Sequence, residues 1–264
     1  MSSPLITLTT DFGLSDHYVG VMKGVISTLA PDARVVDLCH ELPQYGIAEA
    51  AFVVRQSYRY FPAETIHLVV VDPGVGSTRQ ILLVETANGR FIAPDNGVLS
   101  QIFEIEPQYQ ARTVDIDSFS LKPQSQTFHG RDVFAPIAAY AAMGKPSADF
   151  GKIIPNPIRR PKTTPEEIRK GQWRGRVLSV DRFGNVVTSL PAEMLPINGG
   201  EFLLQAGTLD VTLSVKTYSE AEDNEVFAIV GSSGYIEISI NKQSASRRYK
   251  VAVGDLVDFF PVSQ

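Results

Sequence analysis

The sequence predicts a chain in two parts: an α/β domain with a mostly parallel, mixed central sheet, then a small all-β, barrel-like domain. Three observations predict it. In the first part short apolar runs alternate with stretches of helical period, the pattern of a sheet built from strand-helix-strand units. Between Ile153 and Lys170, Pro155, Pro157, Pro161 and Pro165 interrupt that pattern. After Trp173 helical period nearly disappears and short β-branched runs recur at close intervals. The expected boundaries are residues 1–152 for the α/β domain, 153–172 for a proline-rich linker that holds no regular structure, and 173–264 for the β domain.

The elements follow in order. Leu5 to Thr9 reads as a first strand, and Ser15 or Asp16 as the cap of a helix that runs to Leu29 and stops at Ala30-Pro31. Val35 to Leu38 is a short second strand. Ile47, Ala50, Ala51, Val54 and Tyr58 recur with the period of a helix, which leads into Ile66 to Val71, an apolar run typical of a strand covered on both faces. Ile81 to Glu85 and Arg90 to Ala93 form a hairpin turned by Asn88-Gly89, so part of the sheet is antiparallel. A helix from Asp132 to Met143 ends at Gly144-Lys145-Pro146. In the β domain, strands are expected at 176–180, 185–189, 201–204, 211–215, 226–230, 235–240 and 251–259.

Composition narrows the class. A chain of 264 residues with 44% hydrophobic content can fill its cores without covalent staples. The single Cys39 can form neither an internal disulfide nor a thiolate zinc site, which points to a reducing, cytoplasmic compartment. There is no leader-like start, and no apolar stretch approaches the ~20 residues that span a bilayer, so no membrane partner is expected. A net charge of −5 argues against a nucleic-acid partner.

The chemistry concentrates at strand ends. In an open α/β sheet, ligands lie beyond the carboxyl edge, where Asp11 and Asp72 each follow an apolar run. Asp72 opens the turn Asp72-Pro73-Gly74-Val75-Gly76, with the fixed cation of Arg79 just beyond it. His129, flanked by Phe128 and Gly130, adds a titratable ring, so Asp72, Arg79 and His129 are a candidate acid-base-cation set. Asp11 suits a vicinal diol, although a cap of the following turn explains it equally well. Pro94-Asp95-Asn96-Gly97 is sufficiently explained as a turn. Asp181-Arg182-Phe183-Gly184-Asn185 offers a carboxylate, an aromatic face and an amide, a trio suited to a purine but also to an ordinary hairpin. His40, Asp11, Asp16, Asp72 and His129 lack tight metal-ligand spacing, and no metal is expected. Thr10-Asp11-Phe12-Gly13 is not a kinase metal site, because the other kinase motifs are missing.

Taken in order, Thr10-Asp11-Phe12-Gly13, Val71 to Gly76, Pro94 to Gly97, Phe128 to Asp132, Asp181 to Asn185 and Ser232-Ser233-Gly234-Tyr235 closely resemble the S-adenosyl-L-methionine hydrolase (adenosine-forming) family. Its members are also called hydroxide adenosyltransferases and are related to the fluorinating and chlorinating enzymes. The resemblance runs from Leu5 to about Phe260. It implies cleavage of S-adenosylmethionine by water to adenosine and L-methionine, without a cofactor, in a homotrimer whose active sites lie between subunits. It assigns catalysis to Asp72, Arg79 and His129, the ribose diol to Asp11, and the adenine to Phe183 and Asn185. Asp181 and Ser232 then meet the methionine amino and carboxylate groups, Phe128 lies against the substrate, and Glu237 and Ile240 belong to the segment that closes the site.

The halogenating relatives carry Tyr and Ser where this chain has His129 and Gly130, which favours water over halide. The polar, basic run from Gln243 to Lys250 departs from the pattern near Ile240. A second reading is a trimer that binds or senses adenosine or S-adenosylmethionine with little turnover.

Overall fold

The computed structural model describes residues 3–119, 125–196 and 200–261. They form two compact units, residues 1–162 and 163–264 in extent.

In the first unit β1 (Leu5–Thr10) leads into α1 (Tyr18–Leu29), β2 (Arg34–Cys39), α2 (Ile47–Ser57), β3 (Ile66–Val70), the hairpin β4 (Ile81–Thr86) and β5 (Gly89–Pro94), α3 (Ser100–Ile105), β6 (Gln110–Thr113) and α4 (Ala135–Ala142). The sheet order is β2-β1-β3-β5-β4-β6. The pairs β2-β1, β1-β3 and β3-β5 are parallel, and β5-β4 and β4-β6 are antiparallel, so the sheet is mixed as expected.

Both faces of this sheet are covered. Along β3, Ile66, Leu68 and Val70 join the core beneath α1 and α4, whereas Val69 and the following Val71 join the core beneath α2 and α3. The alternation is the two-residue period of a strand, and it explains why Ile66 to Val71 reads as one apolar run. It also brings Asp72, the next residue, to the carboxyl edge of a fully buried central strand. Helix α1 meets the first core through Val19, Met22 and Ile26, one face of a helix.

Several local expectations are corrected. Helix α1 starts at Tyr18 with His17 as its cap position, and no side chain caps it, so neither Ser15 nor Asp16 plays that role. The helix expected from Asp132 begins earlier, at Gly130, and its first turn, Gly130–Phe134, is a π-helix. The proline-rich segment also holds structure. Once Pro165 is passed, Glu166–Arg169 pairs antiparallel with the next strand, because nothing there removes a backbone donor.

The second unit contains this β7 (Glu166–Arg169), then β8 (Gln172–Val180), β9 (Val186–Pro191), β10 (Phe202–Ala206), β11 (Leu209–Val211), β12 (Val226–Val230), β13 (Tyr235–Ile240), α5 (Ala245–Tyr249) and β14 (Leu256–Pro261). Its antiparallel order is β11-β10-β14-β8-β9-β13-β12, with β7 on β8. A parallel bridge from Ser214 to Ala228 draws the two ends toward each other, which leaves the sheet nearly closed. Leu204, Val211, Ala228, Ile236, Ile238 and Val257 fill its interior. Helix α5 was not legible in a stretch where helical period nearly disappears, since five residues show barely one turn.

Candidate active site

The geometry of the first unit converges on the carboxyl ends of β1 and β3. Asp72 leaves β3, and the chain turns through Gly74 and Gly76 before Arg79 comes back against it. Gly76 has φ of +79°, and a Cβ there would lie 2.8 Å from the Gln126 carbonyl oxygen, so only glycine allows this loop to lie against the segment leading to His129. Arg79 Nε donates to both carboxylate oxygens of Asp72, at 3.0 and 2.8 Å, and its Nη2 donates to Oδ2 at 2.5 Å. The pair is buried, with 10% and 5% of the two side chains exposed. It is a bidentate arginine-carboxylate contact, which fixes direction as well as charge. The guanidinium also lies over the Phe134 ring, at 5.4 Å.

The Arg79 Nη2 group stands 3.0 Å from His129 Nδ1. Arginine has donors only, so Nδ1 accepts and the proton of the neutral ring sits on Nε2. Burial, and secondarily the Arg79 charge, hold His129 below its ordinary value despite the opposing pull of Asp72 and Asp132. At neutral pH His129 is therefore an uncharged ring whose free edge is a hydrogen-bond donor. The π-turn that begins at Gly130 carries it, a distortion frequent at functional sites. Asp132 secures that turn by accepting from the Ser125 N–H at 2.9 Å.

Asp72, His129, Phe12, Tyr18, Val75 and Phe128 line a cavity of about 220 Å³. Gly130 lies at its wall. A Cβ there would come within 3.0 Å of Met22 Sδ, 3.1 Å of the Phe128 ring and 3.2 Å of the Phe12 ring, so apolar groups press on this position.

Asp11 is held differently. Its Oδ2 accepts the Tyr45 N–H at 2.8 Å, and Oδ1 accepts nothing from the described residues. The strand end before it is braced from inside. Phe12 N–H donates to the Thr10 hydroxyl, which is 2.8 Å from His40 Nδ1, and His40 Nε2 lies 3.0 Å from Asp37. Burial pushes the Asp37 carboxyl up, but hydrogen bonds from Lys23 and His40 outweigh it and hold the group below the usual range.

The remaining predicted residues belong to the second unit. Asp181, Phe183, Asn185 and Ile240 line a pocket of about 780 Å³. Phe183 presents its ring outward, 78% exposed. Asp181 accepts from the Phe183 and Asn185 N–H groups and from Asn185 Nδ2, each at 2.9 Å, so the motif builds its own turn and fixes the amide. Ser232 is exposed in a turn and Glu237 is buried beside Tyr218, and neither lines that pocket. Burial, together with the nearby Asp181 charge, pushes the Glu237 carboxyl up against the weaker opposing effect of the Tyr218 hydroxyl.

Tyr218, which lines the pocket, and Tyr18, which lines the smaller cavity, were missed from sequence because neither sits in a glycine-rich motif. Among the described residues no group of three or more His, Cys, Asp or Glu could hold a metal ion. No described helix is long and apolar enough to cross a membrane.

An α/β unit with a carboxylate, an arginine and a histidine at its sheet edge, joined in sequence to a small β unit whose pocket is lined by Asp181, Phe183 and Asn185, defines a class of two-domain enzyme. The chain belongs to the SAM hydroxide adenosyltransferase family: the family's N-terminal domain matches residues 6–151 and its C-terminal domain residues 175–258. It is 34% identical to the (R)-S-adenosyl-L-methionine hydrolase of Salinispora arenicola, over 96% of this chain and 97% of that one. The protein of the same name from Thermus thermophilus is 35% identical, over 89% of this chain and 91% of its own length. A crystal structure of an uncharacterized conserved protein from Thermotoga maritima superposes with a TM-score of 0.88 at 32% identity, covering 97% of this chain and 99% of that one.

Proposed function

We propose that this chain hydrolyses S-adenosyl-L-methionine at C5′, releasing adenosine and L-methionine. The observation that carries the reading is the hydrogen-bonded series Asp72, Arg79, His129 beside a small cavity, in a chain similar along nearly its whole length to hydrolases of that substrate.

The leaving group is a positive sulfonium that departs as a neutral thioether, so no general acid or Lewis acid is called for. The task is to present an oxygen nucleophile in line with the C5′–S bond and to dispose of its proton. In this proposal Arg79 favours hydroxide over water by its fixed charge, and Asp72 holds Arg79 in place. Neutral His129 keeps Nδ1 toward Arg79 and turns Nε2–H to the nucleophile, orienting it rather than deprotonating it. Asp11 takes the ribose diol with its free oxygen, while Phe183 and Asn185 take the adenine. The water that is consumed leaves one proton for solvent, which balances the loss of the sulfonium charge.

The proposal extends to stereochemistry and assembly. The relatives' names specify the (R) compound, and we extend that preference to this chain. A site that grips ribose and amino acid from fixed points admits the sulfonium methyl on one side only. Assembly as a homotrimer with shared sites is part of the proposal, and the exposed Leu14, Tyr45 and Val75 around the first unit's site, at 63%, 67% and 37%, offer apolar surface for a neighbouring copy to cover.

Purified protein incubated with each sulfonium epimer, with products resolved by chromatography, tests the reading. One adenosine and one methionine should appear per substrate consumed, faster from the (R) epimer. Tight binding of adenosine with no turnover of either epimer would refute it.

A further inference from the structure

The loop from Asp72 to Arg79 is tied at both ends to one turn. At its far end the Gln80 carbonyl accepts the backbone N–H of Asp95 at 2.9 Å. At its near end the Val71 carbonyl accepts Nδ2 of Asn96 at 2.9 Å. Two consecutive residues of Pro94-Asp95-Asn96-Gly97 thus close the base of the loop. The first tie is main chain and survives any non-proline residue at 95. The second exists only because residue 96 carries an amide.

The direction of that amide is fixed by its partners. Oδ1 accepts the Val98 N–H at 3.1 Å, which leaves the NH₂ group facing Val71. The turn is itself anchored on its other side, where Asp95 accepts the Ile158 N–H and the Ser100 hydroxyl accepts the Arg160 N–H, both at 2.8 Å. Asn96 therefore reaches the end of β3 from a rigid mount.

The Val71 carbonyl belongs to the peptide plane that joins Val71 to Asp72. Rotation of that plane swings the Asp72 side chain, and the bidentate contact with Arg79 tolerates little rotation. We propose that Asn96 is a positioning residue for the catalytic set, acting through the Val71 carbonyl to aim the Asp72 carboxylate, and through it Arg79 and His129. This inference rests on the hydrolytic reading of Asp72 and goes beyond it. It assigns to Asn96 a part in the reaction that turn formation alone does not give it.

The test is a double-mutant cycle on turnover. Asn96→Asp keeps the shape of the side chain and the acceptor for Val98 but loses the donor to Val71. It should lower kcat by about 10- to 100-fold, the scale of a displaced reacting group, while KM stays within about threefold of the wild type. In an Asp72→Ala background the same substitution should cost less than about twofold, because there is no carboxylate left to aim.

Equal losses in both backgrounds, or an unchanged kcat in Asn96→Asp, would overturn the proposal. If Asn96→Asp does not fold, Asn96→Ala is read through the same cycle, with thermal unfolding of each variant compared with its parent. Wild-type turnover in Asp72→Ala itself would instead remove the catalytic reading of Asp72 on which the inference stands.

Discussion

Asp11 and Asp72 stand at the ends of neighbouring parallel strands, yet the fold treats them in opposite ways. Asp72 is nearly consumed within the protein, where Arg79 satisfies both of its oxygens. Asp11 spends one oxygen on the Tyr45 N–H and keeps the other for something outside. A carboxylate used up by an internal cation orients that cation, whereas one left half-open is suited to a ligand hydroxyl. Position at a sheet edge selects the candidates, and residual hydrogen-bonding capacity separates their tasks.

The sharpest way to break the comparison is to delete each carboxylate. Asp72→Ala should lower kcat by about 10²-fold, the scale for misplacing a reacting group, here Arg79 once its anchor is lost, with KM little changed. Steady-state release of adenosine measures both. Asp11→Ala should act mainly on KM, raising it by about 10- to 100-fold, as expected for a lost hydrogen bond to a charged acceptor. If the two variants gave the same pattern, the division of labour between the strand ends would be wrong.

A smaller effect should appear in the pH dependence. Neutral His129 accepts from Arg79, and burial holds its folded value below the ordinary ~6.5 of an imidazole. The share of activity that depends on the neutral ring should be lost as pH drops below the ordinary imidazole range and through the lowered value. Linkage has the same sign. The unfolded chain binds this proton more readily, so the neutral ring contributes stability that is complete above the unfolded value and lost as pH falls through the folded one. An acid limb below neutrality that persists unchanged in His129→Gln would contradict this assignment. Replacement of His129 by Gln should remove the limb along with much of the rate.

Much of the first unit was legible because its signals are local. The apolar run of β3 with Asp72 at its end, and the Asn88-Gly89 hairpin, need no partner to be read. What was not legible depends on contacts distant in sequence. Asn96 looked like a residue explained by its own turn, and only its bond to Val71, 25 positions away, gives it a further task. His129 invited a reading as a base or relay, and the Arg79 contact, 50 positions away, turns it into an acceptor at Nδ1 and a donor at Nε2. The segment after Pro165 was misread because neighbouring prolines obscured a four-residue strand, three of whose residues pair with β8. In the second unit, Asp181 was read as a ligand contact, and what the structure shows of it is the turn it builds with Asn185.

The central claim is that a water-derived oxygen attacks C5′ while methionine leaves intact. Turnover of S-adenosylmethionine in water enriched with oxygen-18, followed by mass spectrometry of both products, tests it most directly. The account predicts one labelled oxygen in the adenosine 5′-hydroxyl and none in methionine beyond solvent exchange. Adenosine released without label, or label introduced into methionine by the cleavage, would contradict it.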